Sequence, residues 1–156
     1  MTSIEPIRKQ IVVDATAERA FRVFTEQHST WWPLDTHHIG EKPAETAIIE
    51  PKVGGRWFER AADGTEGVWG RVLVWEPPHR LVLTWEIDGN WKHDDKLVTE
   101  VELRFVELGP NRTQIDFEHR LLENYGENAH FMRAPMDGGW SSFLDLYAAE
   151  ASSKPA

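Results

Sequence analysis

The sequence predicts an α+β domain in which a curved antiparallel sheet wraps around one long C-terminal helix, with two short helices after the first strand. Three observations carry this expectation. Between residues 44 and 121, six strand-like segments follow one another, separated by turns bearing proline, glycine or asparagine, and strands joined that closely pair antiparallel. Residues 127–149 place Trp140, Phe143, Leu144 and Tyr147 at i, i+3, i+4 and i+7, a single apolar stripe of a helix. That helix is the only segment long enough to cover the face such a sheet must bury.

Taken in order, residues 7–14 alternate Ile7, Lys9, Ile11 and Val13 against Arg8, Gln10, Val12 and Asp14, as in a strand buried on one side. Asp14 or Thr16 can cap the next helix, whose stripe is Ala17, Ala20, Phe21 and Phe24. A short helical turn covers residues 26–31 and Pro33 ends it. Trp31-Trp32 reads either as an anchor for that turn or as a lid, and a polar loop follows through Thr36-His37-His38-Ile39-Gly40. Strands at 46–50 and 56–60 flank the turn Pro51-Lys52-Val53-Gly54-Gly55. A hairpin at Ala61-Ala62-Asp63-Gly64 leads into a long strand at 66–75, and Pro77-Pro78 turns the chain back along 80–87. A charged loop with Asp88-Gly89-Asn90 precedes strands at 97–107 and 113–121, which Gly109-Pro110-Asn111 joins. In the last helix, Pro135 and Gly138-Gly139 predict a kink or a break in its first half.

Composition narrows function. The 156 residues fit one domain with a core of its own. A net charge of −9 argues against nucleic acid as a partner. With no cysteine, disulfides, thiolate metal sites and cysteine nucleophiles are excluded. No signal-peptide core or membrane-length apolar span is present, so a cytoplasmic location is expected. Asp35, His37 and His38 lack a metal-ligand spacing, and no metal or cofactor is expected. Five of the eight tryptophans, Trp57, Trp69, Trp75, Trp85 and Trp91, lie between residues 57 and 91. Such density suits a thick core or the wall of a ligand site.

Three motifs add a resemblance. Pro51-Lys52-Val53-Gly54-Gly55-Arg56-Trp57, the hairpin from Gly70 to Trp85 with its Pro77-Pro78 turn, and Gly138-Gly139-Trp140-Ser141-Ser142-Phe143-Leu144 are similar to sequences of the START-like (SRPBCC, helix-grip) superfamily. The branch they resemble is named after the activator of the heat-shock chaperone's ATPase. The resemblance implies the helix-grip fold over nearly the whole chain. It also implies three kinds of activity: a carrier of hydrophobic ligands, a cyclase or aromatase acting on a polyketide, or a chaperone-interacting protein.

Alternation of side chains along strands assigns the faces. Leu81, Leu83 and Trp85 point inward, as do Val101, Leu103 and Phe105, then Ile115, Phe117 and His119. On the third and fourth strands, Trp57 with Glu59, and Trp69 with Arg71, Leu73 and Trp75, are the inward sets, the latter chosen for its larger side chains. A buried carboxylate needs a partner, so Glu59 is expected to meet Arg71, with His119 further around the sheet. That trio either orients a ligand's polar end or, for Glu59 and Arg71, forms a structural ion pair; His119 equally suits a satisfied core position. The leading expectation is a non-enzymatic protein that binds a hydrophobic or aromatic small molecule between sheet and helix. Trp57, Trp69, Trp85, Phe117, Trp140 and Phe143 would form the walls, and Glu59, Arg71 and His119 the polar contacts. A cyclase with His119 or Glu59 as general base is the enzymatic alternative. A second copy of the chain is left open as a partner.

Overall fold

A computed structural model describes residues 4–34 and 36–153. The chain forms β1 (Ile7–Val13), α1 (Ala17–Thr25) and α2 (His28–Trp31), then β2 (Ala44–Ile49), β3 (Arg56–Ala61) and β4 (Glu66–Glu76). β5 (Arg80–Trp85), β6 (Thr99–Gly109) and β7 (Arg112–Arg120) follow, and a 3-10 stretch (Leu122–Asn128) leads into α3 (Ala129–Ser152). The expected succession of elements is therefore present. All strand pairs are antiparallel, in the order β1-β7-β6-β5-β4-β3-β2. β1 and β2 are thus opposite edges, and α1 and α2 carry the chain from one edge to the other. This is the helix-grip architecture.

Local chemistry explains the helices. Of the two candidate caps, Thr16 acts: its Oγ1 accepts the Arg19 N–H at 3.1 Å. The α1 stripe packs on α3, where the Tyr147 hydroxyl donates to the Ala20 carbonyl at 2.7 Å. The Arg19 guanidinium donates to the carbonyls of Glu150, Ala151 and Ser153, groups that a helix C-terminus leaves without partners. Trp140, Phe143, Leu144 and Tyr147 are all buried against the sheet. The break expected at Pro135 does not occur, since α3 is helical throughout. A proline removes one N–H, and the packed stripe that follows holds the turns together. The discontinuity falls earlier, at Gly126 (φ 70°, ψ −136°), between the 3-10 stretch and α3.

Strand β4 departs from simple alternation. Trp57 pairs with Gly70 but Phe58 with Val68, leaving Trp69 as an extra residue. Val72 pairs with Leu83 but Val74 with Val82, leaving Leu73 extra. Each bulge shifts the alternation by one position. Trp69 and Val72 consequently face in, Arg71 and Leu73 face solvent, and Trp75 is half-buried against Phe21 with ring centroids 5.1 Å apart. The inward set expected for this strand is corrected accordingly. Gly70 sits between the bulges, where a Cβ would stand 1.9 Å from the Thr84 carbonyl oxygen. On the sheet's outer face, Glu102 lies among Arg80, Arg104 and Arg120.

The core contains two fully buried histidines, His28 and His119. His28 accepts the Trp57 indole N–H at Nε2 (3.1 Å), so its Nδ1–H donates to the Phe24 carbonyl (3.0 Å). His119 accepts the Trp140 indole N–H at Nδ1 (3.0 Å), so its Nε2–H donates to Thr99 Oγ1 (2.8 Å). Thr99 in turn donates to the Trp85 carbonyl at 2.9 Å. These bonds fix each ring in one neutral tautomer. Burial pushes both pKa values down to about 3.

Two outcomes are expected. Gly70→Ala should destabilise by about 2 kcal/mol or more, because backbone must move, whereas Gly109→Ala, with open space around its Cβ, should be close to neutral; urea denaturation compares them. The second concerns acid. An unfolded histidine takes up its proton near pH 6.5 and these two cannot until about 3. Their contribution is therefore complete above pH 6.5 and is lost as pH falls below it, by up to about 1.4 kcal/mol per pH unit for each ring. Unfolding free energies that stay level between about pH 6.5 and pH 5 would contradict this.

Candidate functional site

The interior between sheet and α3 is aromatic, but its centre is occupied. The Trp32 indole is wedged between Trp69 and Phe143, with centroids 5.0 and 4.5 Å away. Trp57, Trp85 and Trp140 surround it at 6.1–6.4 Å. Its N–H donates to the His37 carbonyl at 3.0 Å, which ties it to the loop that follows. Trp32 is therefore neither an outer lid nor a simple anchor for α2. It fills the space expected to hold a ligand, and Trp57, Trp69 and Phe117 are core beneath it, all buried.

The polar trio does not assemble. Glu59 is buried as expected, yet its partners are the Trp69 indole N–H (2.8 Å) and the backbone N–H groups of Ile39 (2.5 Å) and Gly40 (3.2 Å). The carboxylate thus pins the loop after α2 to β3. Arg71, turned outward by the bulge at Trp69, bonds Glu86 at 3.1 Å instead. His119 has both nitrogens engaged within the core, so it presents no basic nitrogen to a cavity. The expectation of a Glu59–Arg71–His119 cluster is corrected on these three contacts.

Empty space exists at the open end of the grip. A cavity of about 620 Å³ is floored by Trp85, Trp140 and Phe143, three of the residues singled out from the sequence. The β5–β6 loop forms one wall through Ile87, Asp88, Gly89, Asn90 and Trp91. The first half of α3 forms the other through Phe131, Met132, Pro135, Met136 and Gly139. Tyr125, Asn128 and Leu97 close the far side, and His37 stands at the near side with its ring edge-on to Trp91 and Phe143. Neither lysine nor arginine lines it.

The wall loop is held from within. Asp88 Oδ1 accepts the N–H groups of Asn90 and Lys92 at 2.8 and 3.0 Å, which turns Trp91 into a left-handed conformation (φ 59°) and over the cavity. The buried Glu86 accepts from Thr84 at 2.5 Å, from Arg71 at 3.1 Å and, across the loop, from His93 at 3.0 Å. Burial opposes its charge, but those hydrogen bonds outweigh it and hold its pKa below the usual carboxylate range. The Tyr125 hydroxyl donates to the Ile87 carbonyl at 2.6 Å. Burial raises its pKa, so the phenol stays protonated.

Several lining residues were not assigned to the site from the sequence, notably His37, Trp91, Met132 and Met136. A signal was available for the last two: Phe131-Met132 and Pro135-Met136 put apolar side chains on one helical face outside the core stripe. Of the tandem histidines, His38 bonds the Gly40 carbonyl at 2.9 Å, while the His37 ring faces the cavity. Asp35 lies outside the described residues. Among those described, no group of three potential metal ligands occurs, and no helix is long and apolar enough to cross a membrane.

Comparisons with known proteins accord with this architecture. The anthrahydroquino-γ-pyrone synthase Txn09, solved in complex with SUM, is 40% identical over 94% of this chain and 97% of its own, with a TM-score of 0.66. CalC, a self-sacrificing resistance protein from Micromonospora echinospora, is 27% identical over 94% and 93%, with a TM-score of 0.71. The Aha1 dimer from Colwellia psychrerythraea shares the fold at 18% identity, covering 96% of this chain and 97% of its own, with a TM-score of 0.64. None of the curated proteins searched matches the chain. Residues 14–150 match the family model described as activator of Hsp90 ATPase homolog 1-like protein, and the chain belongs to that family.

Proposed function

We propose that this protein binds a planar, polycyclic aromatic molecule of the polyketide type in the cavity at the open end of the grip. The observation that carries this is the cavity itself: about 620 Å³ floored by the rings of Trp85, Trp140 and Phe143. Its volume lies in the range of sites for small organic ligands, and flat aromatic walls favour a flat aromatic guest through offset and edge-to-face contacts. The 40% identical relative, matched over 97% of its length, is a synthase of an anthrahydroquino-γ-pyrone, which supports the same guest class here.

That relative also favours a second reading, in which the bound molecule is cyclised. Closing a pyrone through a phenolic oxygen requires removal of the phenol's proton. Among the residues lining the cavity, His37 carries the one imidazole, and Thr36 Oγ1 lies 2.7 Å from its Nδ1. The chain is a carrier if it binds without converting, and a cyclase with His37 as base if it converts.

Saturable quenching of tryptophan fluorescence by 2-methoxyanthraquinone is expected, because three indoles border the cavity. Gly139→Leu, whose Cβ would meet only Phe143 at 3.9 Å, should fill the space and weaken binding about tenfold or more without lowering thermal stability. Absence of quenching, or unchanged affinity in that variant, would remove the proposal. For the second reading, conversion of an ortho-acyl phenol bearing an unsaturated side chain should fall about a hundredfold or more in His37→Gln, with probe affinity kept. Binding with no conversion by the native protein leaves the carrier.

A further inference from the structure

The cavity face of α3 contains a proline. Phe131, Pro135 and Gly139 succeed one another at intervals of four, flanked by Met132 and Met136, and all five border the cavity. Pro135 lies well inside the helix, beyond the first turn where a proline is harmless. Having no N–H, it cannot give the Phe131 carbonyl the hydrogen bond that closes a helical turn. In a helix, the carbonyl of residue i and the amide of residue i+4 lie on the same side. Both residues of this pair border the cavity, so the carbonyl without its helical partner is on the ligand's side of α3. Phe131 and Pro135 are exposed, so in the empty cavity that acceptor is served by water, and a guest hydroxyl can take the water's place.

The rest of the lining has matching chemistry. Its fixed charge is the Asp88 carboxylate, with no lysine or arginine to receive an anion. The Tyr125 hydroxyl donates to the Ile87 carbonyl and is not offered as a donor. Beside the amides of Asn90 and Asn128 and the imidazole of His37, the walls therefore present one carboxylate and no cation, a balance that disfavours carboxylates or phosphates and leaves neutral hydroxyl groups as suitable guests.

We propose that the Phe131 carbonyl, released by Pro135, is the acceptor for a hydroxyl on the ligand, so that the guest is an uncharged, hydroxylated aromatic such as a phenol or hydroquinone. This rests on the aromatic-ligand reading above. Selectivity then resides in a backbone atom, and proline is the residue that exposes it.

The test compares 2-hydroxyanthraquinone with 2-methoxyanthraquinone in mildly acidic buffer that keeps the phenol protonated. The native protein should prefer the hydroxyl form about fivefold, the worth of one neutral hydrogen bond. Pro135→Ala restores the N–H and with it the helical bond. It should erase the preference, costing the hydroxyl probe about fivefold more affinity than the methoxy probe, and keep or raise the melting temperature. Pro135→Gly, which restores the same N–H with the opposite effect on helix stability, should erase the preference equally. Equal binding of the two probes by the native protein overturns the inference while leaving the aromatic-ligand reading intact. So does a preference that survives in both variants, or a loss that falls equally on both probes and so reflects wall shape. Failure of both probes to bind overturns both readings.

Discussion

The Trp32 indole, stacked at the centre of the grip, decides where this molecule can be hollow. A sheet curved around a helix leaves a volume that side chains must fill or a guest must occupy. Here Trp32 meets seven other aromatic rings, those of His28, Trp31, Trp57, Trp69, Trp85, Trp140 and Phe143. Its single polar atom is satisfied by the His37 carbonyl. Because α2 ends immediately before Trp32, the helix that crosses between the sheet edges also delivers the plug. Space survives past the end of that ring, where the cavity lies under the β5–β6 loop and the start of α3.

Glu59 serves the same arrangement from the opposite side. An isolated buried carboxylate is expensive, and the expected remedy is a cation. The structure instead surrounds it with N–H groups, one from an indole and two from successive residues of the loop. A carboxylate can be stabilised by such donors without any positive side chain. It thereby fixes a loop that has no regular secondary structure. Since that loop carries His37 and receives the Trp32 N–H, the acid on β3 sets the position of groups on which it makes no direct contact.

Regular elements were legible from the letters and irregular ones were not. β5, β6 and β7 keep their alternation, so Trp85, Phe117 and His119 were correctly turned inward, and the stripe of α3 yielded Trp140 and Phe143. Arg71 was misplaced because the bulges rest on Trp69 and Leu73, both ordinary strand residues that advertise no irregularity. Between them β4 approaches β5 closely at Gly70, a fact about the partner strand that strand alternation does not reveal. Trp32 and His37 belong to a loop whose path depends on Glu59, far off in sequence, so periodicity has nothing to say about them. Pro135 was read only as a threat to the helix, because pattern rules treat a missing N–H as damage.

Along α3, the buried stripe of Trp140, Phe143, Leu144 and Tyr147 meets the residues that border the cavity at Trp140 and Phe143, while Arg133 and Asp137 tie the upstream turns to the start of the chain from another face. The apolar stripe that holds α3 in the grip therefore reaches the cavity at its upstream end. Exchange of Phe131, Met132, Pro135 or Met136 would reshape the cavity without touching that stripe. An evolutionary dial of this kind would let one scaffold change its pocket and keep its fold.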